Sequence, residues 1–536
     1  MDFAFQVRSK VMLRTPSAAP LSTSRSATMR VFIILRVALT IFLIAVASPA
    51  LTQAPTEHQT SSVLDLSCTG DVHTQAITLW EHSLRDYFNK QINNGLNKSG
   101  NVYVLYYTQE ELQPFVEMTR RCKDRQQIAE LVETLNPTFT SLRPLPSAPN
   151  VRGWVCTGGP TCTSGNHLLG KEVPLCSAQF LGLLGALATD IVETIPADQR
   201  TVAEKTFVTN AATAMATQLD NWLSPTYFKQ VVVRTNMTPA DVKDGQSKYF
   251  FQDRDLWYMT TLSDLAELHR AGIKLNDVGV RAFKSLQAKH NQIKNMFDLF
   301  LARITLTNTS SGPRAEIDRG YWRNYADSKY AAYNASTSPV LCHKNTLGLM
   351  QKTFRIKSEA SYLDPNLGWD LSHARRLIPA LNTFVRNRSN LATVYGYQNQ
   401  AFDPARLQVA LANQVIDKIW NKDKQYPLFS NFWDGSNGWY RAGYENGTGN
   451  CQPGQAPYSL AWSFPTGGYP QWGEFNYIIR SLTTRLYELF KSTNPKDEGF
   501  VSKYYPALWK YSKTHSEKSK VSDLWALTFL SAAVGT

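Results

Sequence analysis

The sequence predicts a mainly α protein, an (α/α) toroid of helical hairpins with a smaller mixed N-terminal region. Three observations predict it. From about residue 177 onward, apolar residues recur at three- and four-residue spacing. Convincing strand alternation is scarce over the same stretch. No internal repeat period accompanies the helices, which argues against an open solenoid and for a ring of divergent hairpins.

The elements follow in chain order. Residues 1–28 are rich in Ser, Ala, Thr and Arg and show no apolar period. They read as a dispensable extension, with Met29 as an alternative start. Arg30 and Arg36 then lead into an apolar run, 37–46, followed by the small residues Ser48 and Ala50. A basic start, a short apolar core and a small-x-small site predict a secretory signal ending near residue 50. The other reading, an N-terminal anchor helix, suffers from a core too short to span a bilayer. Cleavage would leave no membrane span. It would also remove six Lys/Arg and one acid, lowering the net charge from +13 to +8. A basic exported protein favours anionic partners. Acidic polysaccharide suits that setting better than nucleic acid, which is not expected.

Residues 51–176 read as a mixed α/β region with disulfide-prone loops. Thr74–Asn93 has helical spacing, Val102–Tyr107 resembles a short strand, and Pro137, Pro144, Pro146 and Pro149 mark an irregular segment. Cys156 and Cys162 flank a turn-rich loop that a disulfide could close, and export makes disulfides available. No Cys-x2-Cys pair occurs, so no zinc site is expected. No metal or other cofactor is expected either. Calcium could accompany an acidic glycan, but no dense Asp/Asn loop demands it.

Residues 177–536 read as the helical toroid domain. Phe180, Leu184, Leu187 and Ile191 form one apolar stripe, and Phe207, Ala211, Met215 and Leu219 another. Helices are further expected around 257–271, 280–300, 371–385, 406–420, 475–490 and 521–533. Asp253 and Asp255 open one of them and read as a cap or ion-pair cluster.

Three stretches carry chemistry. The first is Gly368-Trp369-Asp370-Leu371-Ser372-His373-Ala374-Arg375-Arg376. Asp370 or Ser372 can cap a helix that starts here, placing His373 in its first turn. A histidine there can serve as acid, base or anion contact, and Arg375 and Arg376 can clamp a carboxylate. The second is the block from Tyr426 to Tyr477, where 14 of 52 residues are aromatic and nine glycines are interleaved. Aromatic rings on loops suit sugar stacking. Trp433, Trp439 and Trp472 are the candidate platforms, and Asp434, Tyr440, Arg441, Tyr444 and Glu474 the candidate chemical groups. The third is 318–330, where Trp322 would add a platform and Asp318, Arg323 and Asp327 could line the same groove. Large rings sealing loops against the scaffold is the competing account of the last two.

Residues Trp369-Asp370-Leu371-Ser372-His373-Ala374 resemble an element of secreted (α/α)-toroid carbohydrate-active enzymes, polysaccharide lyases among them. The resemblance covers this short motif, the helical layout and the aromatic loops. It implies that His373 lines a sugar groove. The expectation is a secreted or periplasmic enzyme that cleaves a uronate-containing polysaccharide, by β-elimination. His373 would be base or neutraliser, Tyr440 or Tyr444 acid or base, and Arg441 or Arg375 the carboxylate clamp, with Trp369 a binding residue. An inverting glycoside hydrolase would instead use Asp434 with Glu474, and Asp370 third. A non-catalytic glycan-binding or envelope scaffold protein is the third alternative. There is no Gly-x-Ser-x-Gly elbow, phosphate loop or His-Glu-x-x-His to support other chemistries.

Overall fold

A computed structural model of the chain describes residues 64–325, 330–333, 340–348, 350–354, 364–438, 455–508 and 520–536. Residues 1–50, expected to be a secretory signal, lie outside them. The described chain is mainly helical. Its strands form three separate two-stranded antiparallel hairpins: β1 (Arg143–Leu145) with β2 (Ala148–Gly153), β3 (Ile304–Thr309) with β4 (Gly312–Ile317), and β5 (Val340–Lys344) with β6 (Met350–Phe354).

The helices begin with α1 (Asp71–Leu79) and α2 (Arg85–Lys90), joined by π-helical turns. Next come α3 (Tyr103–Cys122), α4 (Arg125–Leu135), α5 (Pro174–Thr194), α6 (Val202–Trp222) and α7 (Pro225–Thr235). Then follow α8 (Asp253–Arg270), α9 (Asp277–Ala288), α10 (His290–Arg303), α11 (Leu371–Ala374), α12 (Leu377–Tyr395) and α13 (Pro404–Gln414). The last are α14 (Ser463–Thr466), α15 (Tyr477–Lys491), α16 (Pro495–Tyr504) and α17 (Lys520–Ala533).

Residues 102–107 are helical, not a strand: they lead into α3. Val102 through Tyr106 are all buried, so the run is apolar on every side. Periodicity cannot separate such a buried helix from a buried strand. Residues 64–176 also do not stand apart. One apolar core runs from Leu66 to Val534, and α3 packs on both α5 and α17. The boundary drawn at 177 therefore cuts through a shared core. Around Pro144 and Pro149 the chain forms a short hairpin.

Five helices, α3, α5, α8, α12 and α17, run in one direction. Near the start of α3, the Gln179 amide of α5 donates to Tyr106 O at 3.2 Å, and near its end Thr119 donates to Asp190 at 3.0 Å. Helix α8 follows α5 at close range. A Cβ at Gly182 would stand 2.5 Å from Trp257, and one at Gly185 2.8 Å from Asp264. Helices α8 and α12 are tied by Asp253–Arg376 (3.5 Å) at one end and Asp264–Arg386 (3.3 Å) at the other. Helix α17 rejoins α3 through Thr528 to Glu111 O, and through Arg121 to Ser531 O and Val534 O. Between α12 and α17 the chain is completed by α13, α14 and the 3₁₀ turn Tyr469–Glu474, each packed on its neighbours. Parallel helices at this spacing point their positive N-terminal ends to one side and their negative ends to the other.

Helix α5 is, among the described residues, the one helix long and apolar enough to cross a membrane, and nearly all of it is buried in the core. Cys68 bonds Cys122, Cys156 bonds Cys162 as the sequence suggested, and Cys342 is also disulfide-bonded. These bonds point to an oxidising compartment. Cys176 is a buried thiol pushed up by burial.

Candidate functional site: a cleft at the N-terminal ends of the helices

The motif around His373 folds for local reasons. Asp370 is the N-cap of α11. Its Oδ1 accepts from the Ser372 amide (2.8 Å), the His373 amide (3.0 Å) and the Ser372 hydroxyl (2.6 Å). Its Oδ2 meets His373 Nδ1 in a short contact. Asp370 is 0% exposed, while the His373 side chain keeps 18% of its surface open. A carboxylate on Nδ1 fixes the imidazole tautomer and orientation. Gly368 makes the approach feasible, because a Cβ there would lie 2.5 Å from Ile317 O at the end of β4.

The imidazole lines a small cleft of roughly 60 Å³. Trp322 sits edge-on at 5.4 Å and Trp369 at 6.4 Å. Trp322 is positioned from behind. Its Nε1 donates to Asp318 (3.0 Å), Phe250 stacks on it at 5.2 Å, and Asp318 is paired with Arg303 where neither side chain is exposed. Asp318 therefore positions a cleft wall and does not line the cleft.

The opposite wall comes from the starts of α8 and α3. Asp253 contacts Arg376 at 3.5 Å, and Arg376 donates to the Tyr106 hydroxyl at 2.8 Å. Burial pushes the Tyr106 phenol up, against the opposing pull of Arg376. Arg375 pairs with Glu110 at 2.5 Å. Asp255, next along α8, belongs to the fold: it receives Arg234 and the Tyr227 hydroxyl and caps α8 through the Gln252 amide. Asp253 and Asp255 thus form the expected cap and ion-pair cluster, with Asp253 also facing the cleft.

Of the residues expected at the site, His373, Trp322, Trp369 and Arg375 share this cleft, with Asp370 directly behind His373, but Trp369 is 1% exposed and offers a sugar no open face. The aromatic block does something else. Trp433 is 1% and Trp472 0% exposed. They join Tyr469, Phe464 and Phe429 in a buried stack, with Trp433–Tyr469 at 6.1 Å and Phe429–Phe464 at 3.9 Å. Neither Trp433 nor Trp472 offers a face to a sugar. The block still supports the motif, through its backbone. Leu371 N donates to Asn431 O (3.0 Å), Trp433 N to Trp369 O (2.9 Å), and the Tyr469 hydroxyl to Leu371 O (2.6 Å).

Asp434 does not line the cleft. It accepts from Ser436, and burial, with Asp364 and Glu316 nearby, pushes it up to about 6. Glu474 is exposed and also outside the cleft. Trp439, Tyr440, Arg441, Tyr444 and Asp327 lie outside the described residues. Tyr106, Gln252 and Asp253 line the cleft without having been singled out for it. Tyr106 sits in the stretch read as a strand, and no local pattern marks any of them as neighbours of His373. Among the described residues, no group of three or more His, Cys, Asp or Glu is placed to hold a metal ion.

No protein-family model, curated protein or solved structure matches the chain.

Proposed function

We propose that the chain is an exported carbohydrate-active enzyme on an (α/α)-toroid scaffold, cleaving a uronate-containing polysaccharide by β-elimination. The observation that carries the reading is the Asp370-held His373 in a cleft walled by Trp322 and Trp369. The ring reading draws on the parallel inner helices and the return of α17 to α3. The export reading draws on the basic and apolar segment 30–50 and on the disulfides.

The cleft sits at the N-terminal ends of α3, α8 and α12, where helix dipoles favour anions. Arg375 and Arg376 stand on the same side, paired with Glu110 and Asp253. His373 Nε2 takes the proton beside the uronate carboxylate while Asp370 stabilises the imidazolium. Charge building on that carboxylate is met by Arg376 and Arg375. The bond to the leaving oxygen breaks, a ring double bond forms, and the oxygen takes a proton. Tyr106, a neutral phenol held by Arg376, is the acid we assign.

The hydrolase alternative is less well supported, because Asp434 and Glu474 are absent from the cleft and Asp370 is fully committed to α11 and His373. A panel of uronate-containing glycans tests the reading. The expected product carries a conjugated double bond that absorbs near-ultraviolet light. New reducing ends without that absorbance would establish hydrolysis instead. Binding without any cleavage would establish a glycan-binding scaffold.

A further inference from the structure

A groove toward the other end of α12 is larger than the cleft, about 570 Å³ against about 60 Å³. One of its walls is a single helix face: Val385, Arg388, Ser389 and Ala392 follow one another at the spacing that aligns side chains along a helix. The facing wall is the loop 397–402. Arg388 stands roughly 18 Å along the helix axis from Arg376, at about 1.5 Å per residue, so the groove is remote from His373.

The loop wall is held from behind. The Tyr397 and Phe402 rings meet at 5.4 Å, and both rest on Phe297 of α10, at 4.8 Å and 5.4 Å. The Asn399 amide donates to Asp298 at 3.0 Å. The neighbouring ions are mostly matched. Arg386 is committed to Asp264, Glu193 and Glu267, and Asp298 to Lys294 at 2.6 Å. Arg388 is the exception. It is exposed and, among the described residues, has no acid partner. The side chains of Ser389, Gln398 and Gln400 are likewise exposed and make no hydrogen bond within the described chain. Val385, 40% exposed, adds an apolar patch.

These groups define a ligand. A free guanidinium fork fits a carboxylate. A hydroxyl and two amides, which donate and accept, fit ring hydroxyls, and the apolar patch fits the carbon face of a sugar. We infer that this groove is a second, non-catalytic binding site for acidic polysaccharide, holding a uronate unit at Arg388 and anchoring long chains to the protein. The inference rests on the acidic-polysaccharide reading and adds a second point of attachment to it. One cation holds a single unit weakly, so the gain belongs to polymers that engage both sites.

The test is migration of the full chain in native gels containing polygalacturonate, polymannuronate or hyaluronan, together with cleavage of the same polymers and of uronate tetrasaccharides. Arg388→Glu reverses the charge, Ala392→Trp fills the groove without changing charge, and Lys284→Glu, on an exposed lysine of α9, controls for net charge. The wild type should be retarded by at least one polymer. Apparent Kd should weaken about tenfold in Arg388→Glu and Ala392→Trp and stay near wild type in Lys284→Glu. On the polymer KM should rise by a similar factor, with tetrasaccharide cleavage unchanged. Retardation undiminished in the two groove variants, or equally diminished in Lys284→Glu, would overturn the groove and leave elimination standing. Retardation lost only in the groove variants, with no polymer cleaved, would overturn elimination and keep the groove. No retardation of the wild type by any of the three overturns the groove whatever is cleaved, and binding to phosphatidylserine vesicles instead would assign this face to an anionic membrane.

Discussion

The two ends of the parallel helices handle charge in opposite ways. At the cleft end, Arg375 meets Glu110 and Arg376 meets Asp253, roughly one cation for each anion, and His373 rests on Asp370. At the far end, Asp190, Glu193, Asp264 and Glu267 gather around Arg120 and Arg386. Acids outnumber bases there. Burial pushes Asp190 up to about 6, Glu267 to about 7 and Asp264 to about 8. Burial also raises Glu193, but Arg120 and its other partners hold it below the ordinary carboxylate range. Helix C-terminal ends disfavour negative charge, so protonation is the natural way to bury acids there. The comparison teaches that one set of helices can hold matched ion pairs at one end and, at the other, push several buried carboxyls toward the neutral form.

The largest expected break of this comparison is at the cleft. His373→Ala should abolish turnover and keep glycan binding. Asp370→Asn, which spoils the imidazole tautomer, should lower kcat by about a thousandfold. Unchanged degradation in either variant would remove His373 from the reaction.

Disulfides give the next effect, one near each end. Cys122 closes a 54-residue separation at the far end of α3, whereas Cys156–Cys162 spans 6 residues beside Asn101, near its start. Removing the first as a double Ser variant should cost about 2–4 kcal/mol in denaturant unfolding, and removing the second clearly less, because the longer loop loses more chain entropy. Equal losses would show that loop length is not what matters.

A change between the ends comes third. Gly182→Val forces a side chain against Trp257, with an expected loss of about 1–3 kcal/mol in chemical denaturation.

The smallest effect sharpens the far end. A carboxyl whose folded pKa is raised holds its proton more tightly in the folded state. Its contribution is complete below the unfolded value near 4 and is lost as pH rises through the folded value. Tm should therefore fall from pH 5 to pH 8, and Asp264→Asn should flatten that fall. A slope unchanged in Asp264→Asn would locate the titration elsewhere.

Much of the helical layout was readable. The stripe of Phe180, Leu184, Leu187 and Ile191 lies in α5, and that of Phe207, Ala211, Met215 and Leu219 in α6. The cap at Asp370 was readable too, because an N-cap is made of residues two and three positions apart. The stretch 102–107 was not, since a helix buried on all sides shows no amphipathic period. The aromatic block misled for a related reason. Local sequence says that rings are dense around Trp433 and Trp472, but not which way they face. In the structure they face inward and the backbone of 431–433 does the supporting.

By itself, then, the sequence determined the helical elements, the capped histidine and the closely spaced disulfide, all products of short-range spacing. Only the tertiary structure decided that Tyr106 and Asp253 meet Arg376 across 270 and 123 positions of chain. It also decided that Trp322 walls the cleft while Trp433 is sealed from it. Such choices follow from packing and desolvation between distant segments, and no local pattern encodes the partner that each side chain finds.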